Sequence, residues 1–110
     1  RSRLVCRGFS EAVNSVDDIY ASTPTFASLK ARVTYAVSRN HSMFLGDIST
    51  AYLHADAMQE TFVLPPQEFE SSLHLKANDA PVWRLPRATY GLKSAPKSWQ
   101  QHLTQVLTVG

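Results

Sequence analysis

The sequence predicts a sheet packed with helices, α/β or α+β and not a helix bundle, and three observations carry that prediction. Four short apolar runs, RLVCRGF, MFLGDI, TFVL and VWRL, stand next to Gly or Pro, as strands do. Two longer stretches repeat apolar residues at helical spacing. In chain order the segments read β-α-β-α-β-β-α, without an internal repeat.

The first run alternates Leu4 and Cys6 against Val5 and Arg7 and is closed by Gly8, which predicts a strand over residues 3–8. A polar loop follows. Thr23 before Pro24 reads as a helix start, and Phe26, Leu29, Val33, Ala36 and Val37 then mark one face, so a helix is expected over 24–39. A strand is expected over 43–48, a helical turn or short helix in TAYLHADAM, and a strand over 60–64 stopped by Pro65 and Pro66. QEFESSLHLKANDA reads as surface loop and VWRL as a strand over 82–85. Gly91 and Pro96 bracket a turn, after which Trp99, Leu103, Val106 and Leu107 line one face of a helix over 97–108.

The chain has 110 residues, about one small domain by the usual length relation, and 44% hydrophobic content, enough for a modest core. A net charge of +2 permits an anionic partner without demanding one. Position says more. Arg1, Arg3 and Arg7 crowd the start, and Arg84, Arg87, Lys93 and Lys97 crowd a later stretch. A single cysteine, Cys6, allows no internal disulfide, and neither a signal-peptide layout nor a bilayer-length apolar run is present. An intracellular setting, cytoplasm or nucleus and not secreted, with no membrane partner, is the expectation. Both ends look like cuts through longer elements.

Asp47 demands an explanation, because it sits between apolar flanks that read as buried, and an isolated buried carboxylate costs several kcal/mol. From the residues alone it reads either as a metal ligand or as a cap on the helical turn that follows. Tyr52 reads as a core tyrosine, Trp99 as core, and Cys6 as a small strand residue against the first helix. The first-strand arginines read equally as phosphate binders and as charges guarding an edge strand. His41, His54, His74 and His102 are scattered and have no second ligand at metal spacing. GDIST lacks the Gly-x-x-x-x-Gly-Lys pattern of a phosphate loop.

Taken in order, RLVCRGF, DIY with TPTFASL, GDISTAYLHA, ETFVLPP and VWRLPRATYGLKSAPKSW resemble the reverse transcriptase domain of copia-type retrotransposons over nearly the whole chain. That resemblance implies an α+β fold: part of a right-hand polymerase, the fingers and the N-terminal part of the palm. Its sheet would be mixed or antiparallel with packed helices, and the chain would be truncated before the second catalytic aspartate box. Residues 1–110 would then be one partial domain. The activity implied is RNA-directed DNA synthesis by two-metal nucleotidyl transfer in the intact protein, with this segment inactive alone. A different reading is a catalytically dead remnant that binds nucleic acid weakly or serves as an interaction module.

The resemblance also implies roles. Asp47 matches the first catalytic, metal-holding aspartate, with the Ile48 carbonyl as a second ligand to Mg²⁺, two ions in the intact enzyme, for which Mn²⁺ can substitute. Tyr52 matches the aromatic beneath the incoming sugar. Arg3 and Arg7, and Arg1 with them, match the triphosphate grip. Tyr90, Gly91, Lys93 and Pro96 match the template grip, where Ser94 departs from the family's usual Gln. The implied partners are an RNA template, a DNA primer, deoxynucleoside triphosphates and the rest of a polyprotein carrying integrase, protease and RNase H. SVDDIY resembles the missing aspartate box only superficially: it lacks the Tyr and precedes Asp47, so Asp17 and Asp18 are expected in a loop.

Overall fold

Two antiparallel strands form the organising element of the molecule: β1, Asp56–Val63, and β2, Trp83–Arg87. The computed structural model describes residues 2–72 and 81–109. Arg1, Gly110 and residues 73–80, which include His74 and the second half of the expected surface loop, therefore lie outside the described residues. Near the end where the chain leaves β1 and enters β2, Thr61 faces Leu85, Phe62 faces Arg84 and Val63 faces Trp83; the register then shifts before Asp56 meets Arg87 at the open end. Both strands are edges, which is why Pro86 is tolerated within β2.

Among the described residues, three α-helices accompany the sheet. α1 spans Phe26–Ser38, α2 spans Gln67–Ser72 and α3 spans Ala95–Thr108. α1 starts later than expected, because Thr25 and not Thr23 is its cap: the Thr25 hydroxyl accepts a bond from the Ser28 amide at 3.2 Å. α2 corrects the expectation of a loop. It follows directly on Pro66, whose carbonyl accepts the Phe69 amide at 3.0 Å, and the Phe69 ring meets Trp83 edge to face at 4.9 Å. α3 carries Pro96 in its first turn, where a missing amide hydrogen costs nothing.

The core is small. Ala55, Ala88, Leu92 and Ala95 form it, with Cys6, Tyr52, Leu85 and Trp99 packed against it. The Ala88 amide donates to the Ala55 carbonyl at 2.9 Å and ties the end of β2 to the start of β1. Cys6 thus packs against α3 and the sheet, not against α1 as expected.

Two expected strands are not formed. Residues 3–8 run without a ladder into a turn at Gly8–Ser10, and residues 43–48 pair with nothing. A strand needs a neighbouring strand for its amides and carbonyls, and among the described residues 43–48 have none, while 3–8 have a single long-range backbone bond, from the Cys6 amide to the Tyr90 carbonyl. Met43, Phe44 and Leu45 are consequently exposed, Phe44 at 95% and Leu45 at 103%. The intended inner face of α1 is exposed too, at Phe26, Leu29, Val33 and Val37. The radius of gyration is 19.1 Å, against about 13 Å for a packed domain of this length. No helix among the described residues is long and apolar enough to cross a membrane.

Candidate functional site

The Thr89–Leu92 turn joins β2 to α3 and carries the residue around which the site is built. Its closure is a bond from the Leu92 amide to the Thr89 carbonyl at 3.2 Å, and Gly91 adopts φ +94. Only glycine takes that conformation cheaply. A side chain there would also run into the backbone of Cys6 and the side chain of Val5, while one at Gly8 would run into the Gly91 carbonyl. The N-terminal segment therefore lies directly on the turn, backbone against backbone, and the Cys6 amide donates to the Tyr90 carbonyl at 2.8 Å.

This close approach assembles three side chains from three distant motifs. The guanidinium carbon of Arg3 lies 4.4 Å from the centre of the Tyr90 ring, within the range of a cation–π contact. On Tyr90 in turn packs Tyr52, ring centres 4.9 Å apart and tilted by 37°. Tyr52 belongs to the short turn Ala51–His54 and rests on the alanine core, so the stack has a rigid floor. One aromatic wall with a cation on it results, next to Gly91, the one position of the turn without a side chain.

A carboxylate from far away in sequence holds the other side. Glu11 accepts from the Lys93 and Ser94 amides and from the Ser94 hydroxyl, at the start of α3. Lys93 answers with its ammonium, which donates to the carbonyls of Phe9 at 3.1 Å and Glu11 at 3.3 Å. A negative charge at a helix N-terminus is favourable through both the bare amides and the helix dipole. Burial, with Glu11 as a smaller second cause, pushes the Cys6 thiol above its usual range.

The expected site residues distribute as follows. Arg3, Tyr52, Tyr90 and Gly91 come together. Lys93 adjoins them, but its ammonium is turned onto the N-terminal segment. Pro96 lies at the start of α3, half-buried. Arg7 is exposed and its side chain makes no hydrogen bond, ion pair or ring contact among the described residues, and Arg1 lies outside them. Asp47 and Ile48 stand in the exposed segment before the Ala51–His54 turn. The carboxylate is thus neither deep nor paired, and it does not cap the turn: Thr50 precedes it with φ +53, and no side chain bonds there.

Two of the basic residues near the site are neutralised by acids. Arg87 meets Asp56 at 2.8 Å and the His54 carbonyl at 3.2 Å, and Arg84 meets Glu60 at 3.1 Å. Both pairs are exposed and worth at most about 1 kcal/mol each. Glu11, Gly8 and the structural part of Ser94 were beyond sequence reasoning. No local pattern marks a cap supplied from 82 residues away, although a glycine in each of the two segments that meet is a signal in retrospect.

As a donor set for magnesium, Asp47 and the Ile48 carbonyl offer hard oxygens of the right type. They are too few for two ions, and among the described residues no group of three His, Cys, Asp or Glu could hold a metal. Any further ligands would have to come from elsewhere.

Residues 1–109 match a family model described as reverse transcriptase (RNA-dependent DNA polymerase). Among curated proteins, the chain is 29% identical over 100 residues to the retrovirus-related Pol polyprotein from transposon TNT 1-94 of Nicotiana tabacum, a match covering 90% of this chain and 7% of that protein. It is 30% identical over 108 residues to the transposon Ty1-BL and Ty1-DR4 Gag-Pol polyproteins of Saccharomyces cerevisiae, matches covering 97% of this chain and 6% of each of those proteins. The chain thus spans less than a tenth of the length of these relatives. No solved structure matches it significantly.

Proposed function

The chain belongs to the reverse transcriptase family, and from that premise we propose that it supplies the nucleotide-facing and template-facing surface of an RNA-directed DNA polymerase encoded by a copia-type element. The relatives named above are Pol and Gag-Pol polyproteins, so it would work as one part of such a polyprotein, inside the cell, on an RNA template and a DNA primer. The observation that carries this reading is the stack of Arg3, Tyr90 and Tyr52. Three residues assigned separately to the triphosphate, the template and the sugar meet in one wall, with the Gly91 turn beside it.

Each group then has work suited to its chemistry. Arg3, already oriented by the Tyr90 face, offers guanidinium donors to phosphate oxygens, and exposed Arg7 adds a second cation. Tyr52, packed from below, presents a fixed ring edge to a sugar and disfavours a bulkier one. Gly91 leaves room for a nucleotide to reach the backbone. Asp47 would hold divalent metal together with the Ile48 carbonyl; metal so held supplies charge neutralisation for the transferring phosphoryl group. Exposure and the lack of a hydrogen-bond or ion-pair partner among the described residues leave Asp47 available for that role.

The alternative, a remnant retained as a weak nucleic-acid binder, shares the same surface but needs no metal. Binding of a single-stranded oligonucleotide, measured at several salt concentrations, tests the shared part. Phosphate contacts release counterions, so affinity should fall steeply as salt rises, and Arg3→Ala should flatten the slope by about one phosphate contact. A salt-independent affinity would contradict the proposal. Dependence of that binding on Mg²⁺, abolished by Asp47→Asn, separates the polymerase reading from the remnant.

A further inference from the structure

Glu11 lies outside every motif that carries the family resemblance, yet its carboxylate makes polar contacts at the site across 82 and 83 residues of sequence. Its two carboxylate oxygens take three donors at the start of α3, one of them a hydroxyl on the buried Ser94. Lys93 closes the loop in the reverse direction through the carbonyls of Phe9 and Glu11. The two segments so clasped, residues 9–11 and 93–94, lie immediately beyond the place where Gly8 meets Gly91 and the Cys6 amide meets the Tyr90 carbonyl. Residues 2–7 form no ladder of their own. Together with the glycine contact, the Cys6 amide bond and the packing of Cys6 against the core, the clasp holds the segment that carries Arg3 in its path.

We propose that Glu11 is a positioning residue: by fastening the N-terminal segment to the first turn of α3, it holds Arg3 on the Tyr90 ring and so presets the nucleotide-facing wall. The proposal rests on the reading of that wall as a nucleotide site. Its geometric core can nevertheless be tested without it. Glu11 touches no reacting group itself. Its effect passes through the backbone of residues 3–10.

The test uses the 110-residue chain with Glu11→Ala and Glu11→Gln. Glutamine can still accept the Lys93 amide through its oxygen and donate to the Ser94 hydroxyl through its nitrogen, so it should restore the clasp without the charge. Proton NMR reads the stack directly, since the Arg3 side-chain protons above the Tyr90 ring are shifted upfield, and amide exchange at Cys6 reads the bond to Tyr90. The expected result is loss of both signatures in Glu11→Ala, with circular dichroism unchanged, and recovery of most of the upfield shift in Glu11→Gln. Retention of the shift in Glu11→Ala, or a Gln variant no better than the Ala variant, would overturn the proposal. Should Glu11→Ala fail to fold, Ser94→Ala removes one of the three donors and should reduce the shift partially; an unchanged shift there would overturn it equally. Titration with dTTP and Mg²⁺ adds the functional arm: affinity should weaken about tenfold in Glu11→Ala and recover in Glu11→Gln. If the wild-type chain binds no dTTP while the NMR signatures behave as expected, the nucleotide reading fails and the positioning role stands.

Discussion

Cys6 and Gly91 show how far single residues are determined by the contact between the N-terminal segment and the β2–α3 turn. Desolvation holds the Cys6 thiol protonated above its normal range, with Glu11 adding to the effect. Because its pKa is higher folded than unfolded, this group's contribution to stability is complete below the unfolded value, about 8.5, and is lost as pH rises through the folded value. Alkylation by iodoacetamide at pH 8 should therefore be clearly slower in the native chain than in urea; equal rates would show that the segment does not cover the thiol. Gly91→Ala combines a positive φ with a collision against Cys6, and should cost about 1–3 kcal/mol in urea unfolding. A cost below about 0.5 kcal/mol would mean that the two segments separate easily. From the sequence, Gly91 was legible as a turn glycine and Tyr52 as a packed tyrosine. The expectation of a deep Asp47 failed because the apolar flanks that made it look buried are themselves exposed.

At the scale of elements, periodicity carried the prediction wherever an element is self-sufficient or locally paired. α1 and α3 make their own hydrogen bonds, and β1 with β2 is a hairpin-like pair; all four lie within a few residues of their expected places. The strands expected at 3–8 and 43–48 have the right composition but no partner, and composition cannot supply one. α2 was missed because six residues give too little periodicity to read. The exposed apolar residues of α1 and of 43–48 contribute little to the stability of this chain. Phe44→Ser and Leu29→Ser should each change the unfolding free energy by less than about 0.5 kcal/mol, and amides 42–48 should exchange within the dead time of a native-state experiment. Deep protection across 43–48, as in a finished sheet, would contradict the exposed arrangement.

The whole molecule is an extended body with one small alanine-centred core, beside which a sequence-distant set of aromatic, cationic and glycine residues forms a surface. Its membership of the reverse transcriptase family gives that surface a meaning, and Asp47 is where meaning and physical chemistry can be separated. As an exposed carboxylate with no hydrogen bond or ion pair among the described residues, it has no structural duty here. Asp47→Asn should leave the thermal midpoint of the chain within about 1 °C of wild type, whereas loss of a true helix cap would cost about 1 kcal/mol and lower it by several degrees. A metal ligand behaves in the opposite way in the enzyme, since removing its charge leaves the ions and the developing phosphoryl charge uncompensated. The decisive measurement is primer extension on an RNA template by a reverse transcriptase domain containing this segment, with and without Asp47→Asn. Extension should fall by about three orders of magnitude or more while primer–template affinity and melting temperature hold steady; extension within tenfold of wild type would show that Asp47 is not a catalytic metal ligand.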